Sequence, residues 1–216
     1  MAASRAVSAA PSYAAVPPRE RILTVARELF YRRGIHAVGV DAIAEAAGTN
    51  KMTLYRHFSS KDELVAACLR ELAAEHNAAW DAVEAAHPGD PLGELTAWLQ
   101  HVGQWFIRES GRGCALANAA VELPDPNHPA RKVVREHKSA TRERLANLCR
   151  DARLRDPEAV ASEAFLVCEG ARVAAQSLGS DEPLMHLPAL LKDLVEEHTP
   201  PGAAARGRRH RGSRRT

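Results

Sequence analysis

The chain has 216 residues, of which 45% are hydrophobic and 26% are charged, and its formal net charge is +2. This length suits one compact domain, or a small domain joined to a larger one, with enough apolar residues for a proper core. No run of 18 apolar residues occurs, and the alanine-rich N-terminus lacks the continuous apolar stretch of a secretory signal. We therefore expect a cytoplasmic protein without membrane contacts.

Charge is unevenly distributed along the sequence. Residues 1–65 contain 9 lysines and arginines against 6 acidic residues, residues 66–205 contain 14 against 21, and residues 206–216 contain 6 arginines and no acid. The long middle segment is acidic and is therefore excluded as a general nucleic-acid surface. Attraction to phosphates is expected at the N-terminal helices, with the arginine-rich tail as a second candidate.

Residues 1–18 are rich in alanine and serine and show no periodicity, which predicts a disordered arm. A first helix follows Pro17, because apolar residues recur at the helical spacing i, i+3, i+4, i+7 and i+8 until Gly34 stops the pattern. These residues are Ile22, Val25, Ala26, Leu29 and Phe30.

Residues 39–64 have the pattern of a helix-turn-helix. A short apolar-faced helix runs into Gly48, which favours the left-handed backbone of a tight turn. A second helix starts at once, with Asn50 suited to cap it and with Leu54 and Phe58 forming one inward face. Ser60 and Glu63 then read as a capping box for the next helix.

The exposed edge of the second helix has the chemistry of a DNA recognition helix. A lysine can donate to guanine, a thioether can pack on a thymine methyl, and hydroxyl or imidazole groups can donate to phosphates. The candidate DNA contacts are Lys51, Met52, Thr53, Tyr55, Arg56, His57 and Lys61. Two alternatives stay open: Tyr55 packs its ring against the preceding helix, and Arg56 is only a solvated charge.

The run from Phe30 to Leu64 resembles the DNA-binding domain of the tetracycline-repressor (TetR) family. The matching pieces are Ile43-Ala44, Ala47-Gly48, Thr53-Leu54-Tyr55, His57-Phe58 and Lys61-Asp62-Glu63-Leu64. The resemblance implies backbone contacts by Thr53, Tyr55 and His57, a phosphate contact by Lys61, and base contacts by Lys51 and Met52. It also implies a dimer and a ligand-binding body.

The rest of the chain shows helical periodicity and no useful β alternation, so we predict an all-α protein of about nine helices. Predicted helices span 61–86, 91–110, 114–123, 127–154, 157–178 and 188–198. Asp156 is the expected N-cap of the fifth of these, and the last is expected to begin at Pro188, since proline deeper inside a helix is costly. The predicted domains are 19–65 for DNA binding and 66–199 for the body, followed by a disordered arginine-rich tail at 200–216.

The helices at 157–178 and 188–198 are expected to pair with those of a second subunit, as the TetR resemblance implies. Small residues that would allow close approach recur along the first of them at Ala164, Cys168, Ala171 and Ala175, with Gly170 and Ala174 beside them. The alternative is that this small-residue face is intramolecular core. A twofold dimer would present two recognition helices roughly 34–36 Å apart to a palindromic operator.

The body carries two groups of candidate ligand contacts. Trp98, His101 and Trp105 share one helix face, while Asn118 and Glu122 are spaced by four on another helix, near Cys114. Apolar walls with a few polar groups are typical of ligand sites, and TetR relatives use this region as an inducer pocket. The alternative is that the tryptophans are ordinary core residues.

No sequence motif indicates an enzyme, a cofactor or a metal site. The chain has no glycine-rich phosphate loop, no GxSxG and no HExxH. Cys68, Cys114, Cys149 and Cys168 are widely spaced and are expected to be reduced core residues. The sequence therefore predicts a homodimeric DNA-binding regulator, a repressor released by a small-molecule ligand, with a ligand-independent regulator as the alternative.

Overall fold

The computed structural model describes residues 16–108 and 112–201. Within these residues the chain forms nine helices and no strand, which confirms the predicted all-α class. The helices are α1 (Pro18–Arg33), α2 (Val40–Ala46), α3 (Lys51–His57), α4 (Lys61–Ala86), α5 (Pro91–Arg108), α6 (Ala115–Glu122), α7 (Pro129–Asp151), α8 (Pro157–Leu178) and α9 (Glu182–His198). Residues 1–15 of the predicted arm and 202–216 of the predicted tail lie outside the described residues.

The chain divides into two compact units between Cys68 and Leu69, a position inside α4. The division predicted from the sequence was after residue 65. In the first unit the apolar faces of α1, α2 and α3 form the core, in which Ile22, Ile43 and Leu54 have no exposed surface. This small core fixes the backbone of the helix-turn-helix.

The start of α3 and the start of α4 follow from the predicted capping residues. The Asn50 Oδ1 atom accepts a hydrogen bond of 2.9 Å from the Thr53 N–H, and the Ser60 Oγ atom accepts one of 3.0 Å from the Glu63 N–H. Each bond satisfies a backbone donor that has no partner inside the first turn of its helix. The predicted beginnings of both helices are confirmed.

The second unit is built around the facing sides of α5, α7, α8 and α9. Leu95, Leu145, Leu187 and Leu191 lie at its centre with at most 1% of their surface exposed. The four cysteines of the chain are buried thiols. In the stretches that the structure describes, no helix combines the length and apolarity needed to cross a membrane.

The last helix begins at Glu182, so the prediction that it begins at Pro188 is wrong. Leu184 and Leu187 extend the buried face of α9 toward its N-terminus, with 2% and 0% exposure. Pro188 costs the helix one backbone hydrogen bond, but its ring packs where Gly103 of α5 has no side chain. A Cβ atom at Gly103 would lie only 2.7 Å from the Pro188 Cγ atom. The packing of α5 on α9 thus accommodates a proline inside a helix.

Two other predicted helix boundaries also need correction. Helix α7 begins at Pro129 rather than Asn127, because the His128 Nδ1 atom accepts a hydrogen bond of 3.1 Å from the Ala130 N–H. The helix ends at Asp151 rather than Leu154. Asp156 does precede α8, but its φ angle is +49° and its side chain makes no capping hydrogen bond. The backbone turn, and not the carboxylate, leads into α8.

Part of the small-residue face of α8 is buried within the single chain, and its predicted role in pairing two subunits stays a prediction. Ala164, Cys168 and Ala175 are 2%, 5% and 8% exposed within the single chain. The exposed apolar side chains of this helix are instead Leu166, Val173 and Leu178. Leu190 of α9 is also exposed.

Candidate nucleic-acid interface and ligand cavities

The turn between α2 and α3 is held by backbone hydrogen bonds and by one arginine of α1. Gly48 has a φ angle of +62°, and the Thr49 N–H donates to the Ala44 carbonyl oxygen at 2.9 Å. The Arg21 guanidinium donates to the carbonyl oxygens of Ala47 at 3.1 Å and Gly48 at 3.3 Å. The sequence analysis missed Arg21, because an arginine in the first turn of a helix is ordinarily a solvated charge.

Helix α3 has a buried side and an exposed side, as predicted. Leu54 has no exposed surface and Phe58 is 4% exposed, so they anchor the helix to the core of the first unit. On the opposite side Met52 is 83% exposed and Tyr55 is 43% exposed, and Lys51 and Arg56 are also exposed. Thr53 of α3 and Lys61 at the start of α4 are half-buried. The seven candidate DNA contacts therefore differ in access to solvent.

Two of the candidates have surroundings that affect DNA contact. The Lys51 Nζ atom lies 3.1 Å from the Asp41 Oδ2 atom of α2, with both side chains more than half exposed. The Nε2 atom of half-buried His57 is buried and has no hydrogen-bond partner in the part of the chain that the structure describes. A phosphate could not reach that nitrogen without movement of the side chain, which the sequence could not reveal.

Helices α4, α5, α7 and α8 of the second unit enclose what we call the aromatic cavity. It is lined by Trp80, Trp98, Trp105, Phe106 and Phe165, and its volume is about 60 Å³. The Trp80 and Trp98 ring centroids are 4.2 Å apart, and Trp105 meets the His76 ring edge-on at 4.1 Å. His101, predicted to be a ligand contact together with Trp98 and Trp105, lines the same cavity.

Charged side chains form the polar end of the aromatic cavity. The Lys138 Nζ atom lies 2.5 Å from the Glu169 Oε1 atom, and the Arg172 guanidinium lies 4.0 Å from the centroid of the Phe106 ring. Arg172 is only 8% exposed. Burial, reinforced by the Lys138 and Arg172 cations and opposed by Glu169, lowers the pKa of His137 to about 4. Burial also raises the pKa of Cys168 to about 12.

A second and larger cavity, the α6–α8 cavity, lies between α6 and α8 and has a volume of about 570 Å³. Asn118, Glu122 and Cys114 line it, so the two predicted groups of ligand contacts belong to different cavities. Glu169 and Arg172 line both cavities. The Asn118 Nδ2 atom donates to the Arg112 carbonyl oxygen at 2.5 Å, which ties the start of α6 to the preceding loop.

The sequence analysis missed Glu169 and Arg172, which line both cavities, and Lys138, which lines the aromatic cavity. A signal existed for Arg172, since it interrupts an otherwise small and apolar run of α8. The same signal existed for Glu169, which follows the apolar residues 164–168, but nothing in the sequence indicates that it pairs with Lys138, 31 positions away. Among the described residues, no three histidine, cysteine or acidic side chains are placed to hold a metal ion.

The three-helix core, the tight turn at Gly48 and the exposed edge of α3 define a helix-turn-helix transcriptional regulator. Comparison with known proteins agrees: residues 22–68 match a family model described as bacterial regulatory proteins of the tetR family. Residues 91–190 match a model described as a tetracyclin repressor-like C-terminal domain. The chain belongs to the TetR family of transcriptional regulators, which are DNA-binding proteins and not enzymes.

Three relatives illustrate the extent of the similarity. The chain is 52% identical over 52 residues to the HTH-type transcriptional activator FasR of Mycolicibacterium smegmatis, a match that covers 24% of each protein. It is 29% identical to SCO4454, a TetR-family regulator from Streptomyces coelicolor, with 85% and 96% of the chains covered and a TM-score of 0.76. A TetR-type regulator from Streptomyces avermitilis, sav143, is 30% identical, with 84% and 98% covered and a TM-score of 0.68.

Proposed function

We propose that this regulator is a cytoplasmic repressor that binds a palindromic operator as a homodimer and leaves it when a small molecule occupies the second unit. The main support for DNA binding is that α3 has one buried side and one exposed side. The buried residues Leu54 and Phe58 hold the helix so that its other edge is exposed. FasR is an activator, but the match spans only about a quarter of it. Repression rather than activation is therefore part of the proposal.

We assign DNA contacts to the exposed side of α3 and the start of α4. Lys51 and Met52, in the first turn of α3, are placed to meet base edges when the N-terminal end of the helix enters the major groove. Thr53, Tyr55, Arg56 and Lys61 are assigned to the phosphate backbone. His57 is assigned there too, through a side-chain rearrangement or through its Nδ1 atom.

Exposed apolar side chains on the last two helices support a dimer. Leu166 and Val173, seven positions apart on α8, lie on one side of that helix and are 68% and 56% exposed. Leu178, Met185 and Leu190 are also more than half exposed. Several large apolar side chains left on the surface of neighbouring helices are typical of an interface. Sedimentation of a monomer at micromolar concentration would contradict the dimer.

Ligand release needs a ligand that binds one conformation of the dimer more tightly than the other, because only that difference shifts the equilibrium. The aromatic cavity and the α6–α8 cavity are the candidate sites. Helix α4 contributes residues to both units, so it is the covalent connection through which a change in the second unit would reach α3. We propose that the ligand-bound dimer holds its two recognition helices at a spacing that does not fit the operator.

The size of the aromatic cavity favours one competing function. Its volume of about 60 Å³ is well below the roughly 300–1,000 Å³ of typical ligand pockets. An aromatic cavity this small would suit a regulator that only dimerises and binds no ligand there, whereas the α6–α8 cavity of about 570 Å³ lies within the range of ligand pockets. If neither cavity takes a ligand, no compound would change operator binding.

Capturing genomic fragments with the purified protein and sequencing them would identify the operator. A mobility-shift assay on that operator would then be repeated with candidate ligands. A compound that weakens operator binding supports the ligand-released repressor, whereas unchanged binding across compounds that enter the cavities supports the ligand-independent regulator. Fragments without a shared palindrome would contradict both.

Lys61→Ala and Met52→Ala should separate phosphate contact from base contact. Lys61→Ala should weaken binding to all DNA sequences and lower the slope of log affinity against log salt by about one. Met52→Ala should change the preference among operator variants more than the general affinity. Fluorescence anisotropy at several salt concentrations, on operator and scrambled DNA, measures both effects. Unchanged affinity and unchanged selectivity in the two variants would contradict the assigned docking.

Asp41→Asn should tighten DNA binding. The substitution removes an acidic group beside the recognition edge and frees the Lys51 Nζ atom, now 3.1 Å from the Asp41 carboxylate. An exposed ion pair contributes at most about 1 kcal/mol, so we expect an increase in affinity of up to about fivefold. Asp151→Asn, an equal charge change at an exposed position of α7, is the control and should leave affinity unchanged. Weaker binding by Asp41→Asn would show that this ion pair supports the bound form.

A further inference from the structure

We infer that Arg19, in the first turn of α1, binds a phosphate of the DNA backbone beside the phosphate assigned to Lys61. This inference rests on the proposed function, because it adds a contact to the docking of α3 on DNA. Arg19 lies outside the helix-turn-helix pattern, so the sequence did not single it out. Its support comes from the packing of α1 beside α4, from its contact with Phe58 and from the charges around it.

The starts of α1 and α4 lie at the same end of the first unit. The Arg19 Cζ atom lies over the Phe58 ring, 5.4 Å from its centroid. Further along both segments, the Cys68 Sγ atom lies 3.9 Å from the Leu23 carbonyl oxygen. The two contacts follow the same order along the chain, so α1 and α4 run side by side in the same direction. Arg19 therefore lies where α3 ends and α4 begins, close to Lys61.

The first turn of α1 has a fixed position relative to α3. Pro18 occupies the first helical position, where its restricted φ angle suits the helix. Two residues after Arg19, the Arg21 guanidinium donates to the carbonyl oxygens of Ala47 at 3.1 Å and Gly48 at 3.3 Å. These bonds tie the start of α1 to the turn between α2 and α3. A side chain on such a backbone loses less entropy when it binds DNA.

The Phe58 ring supports the Arg19 guanidinium without using its hydrogen-bond donors. Phe58 is 4% exposed, whereas Arg19 is exposed, so the cation lies between the ring and solvent. Their separation of 5.4 Å is within the range of a cation–π contact. A guanidinium that rests on a ring keeps its N–H donors in its own plane, where they can bind two phosphate oxygens.

The charges around Arg19 also favour a phosphate. Across residues 16–108 and 112–201, the side chains of Arg19 and Lys61 form no ion pair and no hydrogen bond. Arg32, near the other end of α1, is instead paired with Glu28 at 3.2 Å. A phosphate that binds Arg19 therefore breaks no ion pair of the protein, and it releases a counterion from the DNA.

The test uses the full-length protein, the captured operator and a scrambled duplex of the same length. Arg19→Gln keeps most of the side chain but removes its charge. We expect it to weaken binding about tenfold at about 50 mM salt, equally on operator and scrambled DNA, since a phosphate contact carries no sequence information. It should also lower the slope of log affinity against log salt by as much as Lys61→Ala lowers it. Fluorescence anisotropy at several salt concentrations measures both quantities.

Two further variants separate the phosphate contact from charge alone. Arg19→Lys keeps the charge and should leave the salt slope unchanged, but it should weaken binding about threefold because an ammonium group lacks the planar fork. Arg32→Gln is the matched control: it removes the same charge from the same helix, 13 positions and about 20 Å away. It should change neither affinity nor slope. Circular dichroism checks that all variants fold.

The outcomes distinguish this inference from the proposed docking. If Lys61→Ala lowers the salt slope and Arg19→Gln does not, the docking stands and the Arg19 contact fails. If neither lowers it, both fail. A loss in Arg19→Gln that is confined to the operator would mean that Arg19 only supports α3, and an equal loss in Arg32→Gln would mean a general effect of charge. Either result would overturn the inference.

Discussion

Leu54→Ala should lower the stability of the first unit and remove operator binding at temperatures where the wild-type protein still binds. Leu54 has no exposed surface and lies on the inner side of α3, between the recognition edge and the core. Truncating a buried leucine to alanine costs about 2–5 kcal/mol, a large part of the stability of a small domain. The substitution removes no DNA contact, so any loss of binding must come from the loss of support for α3.

Leu54→Met is the matched control, because a volume-conserving exchange in a core usually costs less than about 1.5 kcal/mol. Thermal unfolding followed by circular dichroism gives the stability of both variants, and anisotropy with labelled operator gives binding across the same temperatures. The prediction requires the loss of binding to follow the loss of stability. Full operator binding by Leu54→Ala at temperatures where the first unit has melted would contradict the role assigned to the core.

The first unit was predictable because its signals are local. Asn50 caps a donor three residues away, Ser60 does the same for α4, and Gly48 supplies the left-handed backbone that the turn needs. Leu54 and Phe58 are four apart and so must share a side of one helix. Each signal links residues that are close in sequence, so the helix-turn-helix and its exposed edge can be predicted from the sequence alone.

The errors in the second unit come from contacts between residues that are far apart in sequence. The predicted last helix began at Pro188 because the cost of a proline inside a helix is visible in the local sequence, whereas the compensating space at Gly103 belongs to α5. The Lys138–Glu169 ion pair joins α7 and α8, and nothing near either residue indicates its partner. Tertiary packing decided both cases.

The partner of the small-residue face of α8 could not be predicted for a different reason. Ala164, Cys168 and Ala175 allow close helix approach, but the same residues serve equally well within a chain and between chains. Periodicity therefore identified a packing face and could not identify the partner. The structure buries Ala164, Cys168 and Ala175 in the single chain, and the exposed side of α8 at Leu166 and Val173 becomes the candidate interface.

The double substitution Leu166→Asp with Val173→Asp should convert the proposed dimer to a monomer. Two carboxylates in the centre of an apolar interface would be desolvated without partners and would repel their copies in the second subunit. Both residues are more than half exposed in the single chain, so the folded protomer should lose little stability. Sedimentation velocity measures the oligomeric state, and circular dichroism checks the fold.

Loss of the dimer should reduce operator affinity by about a hundredfold or more, because two linked recognition units gain about 10²–10⁴ in affinity over one. The control carries the same charges at the same spacing of seven on α4, as Ala78→Asp with Ala85→Asp, both at exposed positions. It should remain a dimer and bind the operator normally. A double α8 variant that stays dimeric places the interface elsewhere, whereas a monomeric variant with unchanged operator affinity means that one recognition helix suffices. Only a variant that becomes monomeric and also loses affinity for the operator would show that operator recognition requires the exposed side of α8.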